Sequence, residues 1–336
     1  MRKLFAAACA ALWSVATLQA QPAELRFRDD GTFRIAQFTD MHLDPSKPRR
    51  LAESEKTFAR LERVLTSERP DLVVFTGDVV TAPGRGMWRR LLDAVERHGI
   101  PFCVVLGNHD AEQDLARTEI ARIVTSYDGS LNRLADNGEL ADVELTVAGR
   151  GSDRPAWAFY CLDSHDYSTI EGIDGYGWFL PGQVEWLRAC CTARTEANGG
   201  RPLPSLAFLP HRAAGVCGGV AQPRQQPHRP CCRGRMSRGA QHGDVLRDGR
   251  DGQRGGYLRG TRPRHRLPGG REGHLSGLRP LLGRQHDLQQ PASGVRMLVL
   301  TEGVRGFETW IREDDGRMVD HARFDEGKIT EISVER

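Results

Sequence analysis

Three short polar strings follow three apolar segments of this 336-residue chain. The segments are rich in aromatic and β-branched residues, and they are Phe33–Phe38, Leu72–Phe75 and Phe102–Leu106. The strings after them are Asp40-Met41-His42, Gly77-Asp78-Val79-Val80 and Gly107-Asn108-His109-Asp110. Such runs, ended by polar or glycine turns, predict buried strands. Because sites in open α/β sheets form beyond the carboxyl ends of strands, we expect the strings to meet at one edge of a sheet.

The residue types in these strings are suited to binding metal ions. Carboxylate, amide and imidazole groups are hard or borderline donors that suit Zn, Mn and Fe. Asp40 and His42 could clamp one metal, Asp78 could bridge two, and the Asn108 carbonyl could hold the second without adding charge. Two metals about 3.5–4 Å apart activate water and neutralise a phosphate. His109 is then placed to protonate a leaving oxygen. The alternative is that Asp78 and Asp110 are turn or cap residues and the histidines are surface groups.

The order D-x-H, G-D, G-N-H-D resembles that of the calcineurin-like metallophosphoesterases. The resemblance covers about residues 31–208 and 294–325, and it is nearest to the purple-acid-phosphatase-like branch through Phe38–His42 and Gly175–Trp178. It implies a phosphoesterase that uses two metal ions (Fe, Mn or Zn) to hydrolyse small phosphomonoesters or diesters. Thr81 stands where purple enzymes carry a tyrosine, so a purple Fe(III) site is not implied.

The remaining pattern predicts an α/β fold. Helical spacing over Leu51–Glu68 and Trp88–His98 alternates with the three strands, which indicates parallel pairing. Further strands are predicted at Val143–Val147, Trp157–Leu162 and Ser205–Phe208, a helix at Pro181–Thr192, and consecutive antiparallel strands from Val295 onward. Together with the resemblance, this predicts a domain over residues 31–325 in which a central β-sandwich is flanked by helices.

The N-terminus has the pattern of a secretory signal peptide. Met1-Arg2-Lys3 precedes an apolar run to about Leu18, and Ala20 is a small residue at which cleavage is expected. No later stretch is long and apolar enough to predict a membrane span. We therefore expect export to a periplasmic or extracellular space. The net charge of +3 does not by itself indicate a nucleic-acid partner.

The composition changes abruptly between about Leu209 and Gln290. Arg and Gly each make up about a fifth of this segment, Lys, Ile, Phe, Trp and Asn are absent, and Tyr257 is its one aromatic residue. An Arg-rich nucleic-acid-binding arm is one explanation. The lack of lysine and of interleaved aromatic residues argues against it. We expect the segment to pack irregularly with little apolar burial.

A frameshift explains this segment better. With permitted codons, dropping the first base of Arg262–Leu267 yields G-H-D-T-D-Y, which is similar to a Gly-His-Asp motif of the family. With codons chosen from the permitted synonyms, the same shift across the segment can restore apolar periodicity and aromatic residues. The family pattern requires about three more histidine ligands from the C-terminal half of the domain, which contains this segment. As written, His211 and His265 lie nearest to their places, which leaves open an inactive protein that binds at most one metal.

The nucleotide sequence tests the frameshift directly. We expect the frame displaced by one base to be open from about codon 209 to codon 290 and to encode an apolar, aromatic-containing sequence. The flanking codons serve as the internal control, because the same displacement should yield no sensible protein there. Stop codons in the displaced frame inside the segment would contradict the hypothesis.

Overall fold

The computed structural model describes residues 24–112, 114–171, 175–210, 294–325 and 328–332. Two sheets and four helices lie within these ranges. The larger sheet has seven strands in the order β11-β10-β9-β8-β2-β3-β4. Its strands are β2 (Thr32–Phe38), β3 (Leu72–Thr76), β4 (Phe102–Val105), β8 (Gly294–Thr301), β9 (Gly306–Glu313), β10 (Met318–Asp325) and β11 (Lys328–Glu331).

Strand direction divides this larger sheet into two parts. β2, β3 and β4 pair in parallel, because each is followed by a helical or loop crossover rather than a hairpin. β8 pairs antiparallel with β2, and β8 to β11 continue as antiparallel neighbours. The carboxyl ends of the three parallel strands therefore lie at the same edge, as the sequence predicted.

The smaller sheet has four strands in the order β1-β5-β6-β7. They are β1 (Leu25–Arg26), β5 (Val143–Gly149), β6 (Ser152–Cys161) and β7 (Ser205–Phe208). β5 and β6 form an antiparallel pair, whereas β7 joins β6 in parallel. The parallel pairing of β6 and β7 is possible because a helix connects them.

The two sheets face each other across an apolar core. Phe33 and Leu72 of the larger sheet belong to one cluster of buried side chains with Phe159 and Phe208 of the smaller sheet. The Phe33 and Phe159 ring centroids are 5.9 Å apart. Cys103 and Cys161 are buried in the same core as free thiols. This packing is that of a β-sandwich.

Helices cover both outer faces of the sandwich. α1 (Pro48–Glu68), α2 (Gly84–Glu96) and α3 (Arg117–Val124) pack on the larger sheet, and α4 (Pro181–Ala197) lies on the smaller one. The apolar stripe of α2, which includes Trp88, Leu91 and Val95, is buried as its helical spacing requires. The predicted architecture, a central sandwich between helices, is confirmed.

The element boundaries differ from the sequence-based ones in small ways. α1 and α2 begin several residues earlier than the apolar spacing indicated, and α3 was not anticipated. α3 has eight residues, so its apolar period repeats barely twice and gives a weak signal. The expectation of irregular packing over 209–290 lies outside the described residues, except for Leu209 and Pro210.

Candidate metal centre

The first two polar strings lie side by side because their backbones pair. The Asp40 N–H donates to the Gly77 carbonyl at 3.0 Å, and the His42 N–H donates to the Asp78 carbonyl at 2.8 Å. Leu43 continues the pairing as a parallel bridge to Val80. The loops after β2 and β3 therefore extend the register of the sheet, which places the D-x-H string beside the G-D string.

The buried Asp110 carboxylate joins the second string to the third. One oxygen accepts from the N–H groups of Val79 and Val80 at 2.7 and 2.9 Å. The other oxygen accepts from the N–H groups of Asp78 and Gly107 at 3.0 and 2.7 Å. Burial, with the nearby Asp78 charge, raises the pKa of Asp110 to about 7, and the N–H groups of Val80, Gly107 and Val79 act in the opposite direction because they stabilise the charged form. Asp110 is thus a loop-bridging residue.

Glycines permit the close approach of these loops. A Cβ on Gly107 would lie 2.3 Å from the Asp78 Oδ1 atom and 2.5 Å from the Asp78 backbone nitrogen, so the backbone would have to shift to admit it. Gly77 has a φ of 80°, and a Cβ there would lie 3.1 Å from the Gly107 Cα atom. The two glycines of the motif are therefore explained by sterics at the point where the strings meet.

Asp40, His42 and Asp78 form a compact group of half-buried donors. Ligand atoms of the three side chains all lie within 4.8 Å of one another. Their φ angles are 50°, 43° and 53°, in the left-handed region that non-glycine residues rarely adopt. Such backbone is typical of functional sites. Within the described ranges, this is the one grouping of three acidic, histidine or cysteine side chains close enough to hold a metal ion.

A hydrogen bond and a nearby carboxylate orient the imidazole of His42. Its Nδ1 atom lies 3.2 Å from the Thr81 hydroxyl, and its Nε2 atom lies 3.8 Å from the Asp78 Oδ2 atom. Burial lowers the pKa of His42 although the Asp78 charge opposes the shift. A neutral imidazole is the form that binds metals. Thr81, noted in the sequence only as a departure from the purple enzymes, thus holds the Nδ1 side of the ring.

His109 lies beside this group and is held by a carboxylate. Its backbone N–H donates to the Asp78 Oδ1 atom at 3.0 Å, and its ring centroid is 5.4 Å from that of His42. Its Nδ1 atom lies 2.5 Å from the Glu112 Oε2 atom. Partial burial opposes protonation, but the hydrogen bond to Glu112 raises the pKa of His109 above its ordinary value. The imidazole is therefore suited to hold a proton at the edge of the donor group.

Asn108 is buried next to His109, and its side chain contacts a residue that the sequence did not single out for the site. The Asn108 Nδ2 atom donates to the Tyr167 hydroxyl at 2.8 Å. Tyr167 also donates to Glu112. Glu112 could have been suspected from its position three residues after His109, whereas Tyr167 is 59 positions from Asn108 and no local pattern signals it. The metal-ligand role of Asn108 stays a prediction.

The histidines that might complete the donor set lie outside the described residues. These are His211 and His265, the two positions nearest to the expected second-half ligands. The described part of the chain therefore supplies one histidine to the three-residue donor group.

Among the described residues, no helix is long and apolar enough to cross a bilayer.

Comparison with known proteins finds a family match over more than half of the chain. The model of the calcineurin-like phosphoesterase family matches residues 33–220. "Probable inactive purple acid phosphatase 28" of Arabidopsis thaliana is 33% identical over 196 residues, which cover 49% of this chain and 49% of that protein. "Phosphatase DCR2" of Saccharomyces cerevisiae is 29% identical over 185 residues, covering 48% of this chain and 32% of that protein.

A dimetal phosphatase from Danio rerio is among the similar solved structures. It aligns with a TM-score of 0.38 and 15% identity, over 53% of this chain and 69% of that one. The chain spans about half the length or less of the two curated relatives named above.

The Asp110 bridge should be sensitive to the loss of one oxygen. In Asp110→Asn, the amide NH₂ must face two backbone N–H donors whichever way it turns, because each carboxylate oxygen accepts two of them. We expect the free energy of unfolding, measured by urea denaturation, to fall by about 2–4 kcal/mol. Asp136→Asn, at an exposed carboxylate, is the matched control. Equal stability of the two variants would contradict the bridging role.

Proposed function

Since the chain belongs to the calcineurin-like phosphoesterase family, we propose that it is a metal-dependent hydrolase of small phosphomonoesters or diesters. The observation that carries the proposal is the group of Asp40, His42 and Asp78, whose ligand atoms lie within 4.8 Å of one another beside His109. Two carboxylates and an imidazole can hold a metal ion that would polarise a phosphate ester, and the adjacent His109 could protonate its leaving oxygen.

The donor chemistry fits divalent or mixed-valence Fe, Mn or Zn. Two carboxylates and an imidazole are the hard and borderline donors that these ions prefer. Asp40, His42 and Asp78 would hold one ion, and Asp78 with the Asn108 carbonyl would hold a second. When bound, such ions neutralise the phosphate and lower the pKa of a water molecule.

The protein's own residues would orient these groups and manage the proton. Thr81 holds the His42 ring so that its Nε2 atom faces Asp78. Glu112 holds the His109 ring by its Nδ1 atom, which leaves the Nε2 atom to deliver a proton to the leaving oxygen. The hydrogen bond to Glu112 raises the pKa of His109 although partial burial opposes the shift, and the protonated ring is the form that can donate.

A second candidate is a protein that binds metal without turnover. It is favoured by the single histidine that the described residues supply to the donor group. Three of the similar plant proteins also bear the name "probable inactive purple acid phosphatase". The two candidates differ in one measurable property, which is hydrolysis at a site that retains its metal.

Asp78→Ala should abolish hydrolysis, because it removes the carboxylate proposed to contact both ions. We expect the parent chain to hydrolyse aryl phosphate mono- or diesters when Mn²⁺ or Zn²⁺ is added. The variant should lose at least about 100-fold in kcat/KM, since even outer-shell partners of metal ligands cost 10–100-fold.

Asp153→Ala, purified in the same way, controls for contaminating phosphatases because Asp153 is an exposed aspartate outside the donor group. Metal binding by the parent chain without metal-dependent hydrolysis would favour the second candidate. Equal rates for Asp78→Ala and the parent chain would contradict the first.

We further propose that the protein is exported and cleaved after Ala20. The basic start, the short apolar run and the small residue before Gln21 support this. Mass spectrometry of the chain recovered outside the cytoplasm should find Gln21 at its N-terminus. Ala20→Arg should leave the precursor uncleaved, because the cleavage site requires a small residue. Recovery of the intact precursor in the cytoplasm alone would contradict export.

A further inference from the structure

A chain of hydrogen bonds runs from the candidate metal ligand Asn108 to the proposed proton donor His109. The Asn108 Nδ2 atom donates to the Tyr167 hydroxyl at 2.8 Å, and the hydroxyl donates to Glu112 Oε1. The second oxygen of Glu112 lies 2.5 Å from the His109 Nδ1 atom. Tyr167 is the link that comes from outside the three polar strings, on the loop between β6 and α4.

The direction of each bond follows from the donors and acceptors available. Hydrogen bonds from Tyr167 and His109 lower the pKa of Glu112 although burial opposes the shift, so its carboxylate can only accept. The Tyr167 hydroxyl has one proton and gives it to Glu112. Its oxygen can then only accept, which requires Asn108 to present its NH₂ end. The Asn108 carbonyl oxygen is thereby left for a metal ion.

Other contacts fasten Tyr167 in this place. Its ring stacks on that of Tyr176 with centroids 6.0 Å apart and planes 17° apart, and the two residues form an antiparallel bridge. Arg117, whose side chain is 11% exposed, forms ion pairs with Asp163 and Asp166 of the same loop. Arg117 also donates to the Gly107 carbonyl at 3.4 Å, so it ties this loop to the third string.

We propose that Tyr167 is a positioning residue that fixes the amide orientation of Asn108 and thereby sets the affinity for the second metal ion. An asparagine offers an oxygen at one end and a nitrogen at the other, and only the oxygen end binds a metal. Without the hydrogen bond to Tyr167, the Asn108 amide could turn its nitrogen toward the ion. The inference rests on the proposed metal centre but does not require that the centre turn over a substrate.

A double-mutant cycle in the full-length chain tests the role of Tyr167. Tyr167→Phe removes the hydroxyl and keeps the ring that stacks on Tyr176. Asn108→Asp replaces the amide with a carboxylate. A carboxylate presents an oxygen in either orientation, so it needs no hydrogen-bond partner to orient it. Mn²⁺ binding is measured by the electron paramagnetic resonance signal of the free ion. Tyr176→Phe is the matched control, because it removes a hydroxyl from the other half of the stacked pair.

When Asn108 is present, Tyr167→Phe should raise the dissociation constant of the lower-affinity Mn²⁺ site by about 10-fold. A loss of this size is typical for a partner that orients a metal ligand. In the Asn108→Asp background the same change should have little effect. The control should bind Mn²⁺ like the parent chain. Thermal unfolding should give similar midpoints for the two tyrosine variants, because Tyr167 is half-exposed and keeps its ring.

Three results would overturn the inference. Equal losses in both backgrounds would mean that Tyr167 acts on the site as a whole, and no loss in either would mean that it does not act. No Mn²⁺ binding by the parent chain would overturn it together with the proposed metal centre. A different outcome would separate the two proposals. If Tyr167→Phe weakens Mn²⁺ binding only when Asn108 is present, and the parent chain hydrolyses no phosphate ester, the proposed function alone would be overturned.

Discussion

The buried carboxylate of Asp110 is the interaction on which the candidate centre depends. It satisfies four backbone N–H groups that belong to two different loops, at residues 78–80 and at Gly107. Buried backbone groups without partners are costly, so loops of irregular shape can be buried only where some other group accepts their N–H donors. Asp110 does this at the edge of the sheet where the donor side chains converge. The motif therefore contains both the residues that would bind metal and the residue that shapes their loops.

Much of the fold could be predicted from patterns that are local in the sequence. The parallel strands were evident because Leu72–Phe75 and Phe102–Leu106 are continuous apolar runs, as strands buried on both faces require. The helix that contains Trp88, Leu91 and Val95 was evident from its spacing. β1 and α3 were not predicted, because elements of two and eight residues are too short to show a recognisable hydrophobic period.

The site was predictable only in part, for a related reason. Asp40, His42 and Asp78 could be grouped because each directly follows a strand, and strand pairing is a regular geometry. Tyr167 and Arg117 reach the site through a loop and a short helix, and their contacts depend on loop shapes that have no repeating pattern. Residue types alone likewise could not reveal that Asp110 bridges loops while the neighbouring Asn108 faces Tyr167.

The left-handed backbone of Asp40, His42 and Asp78 sets the donor group against folding stability. Each of these residues is less stable in that conformation than glycine would be, so the folded protein keeps three local conformational penalties at one place. Drift toward greater stability would favour glycine at each position and would remove a donor at each step. Side chains at these three positions therefore trade folding free energy for a set of donor atoms that glycine could not supply.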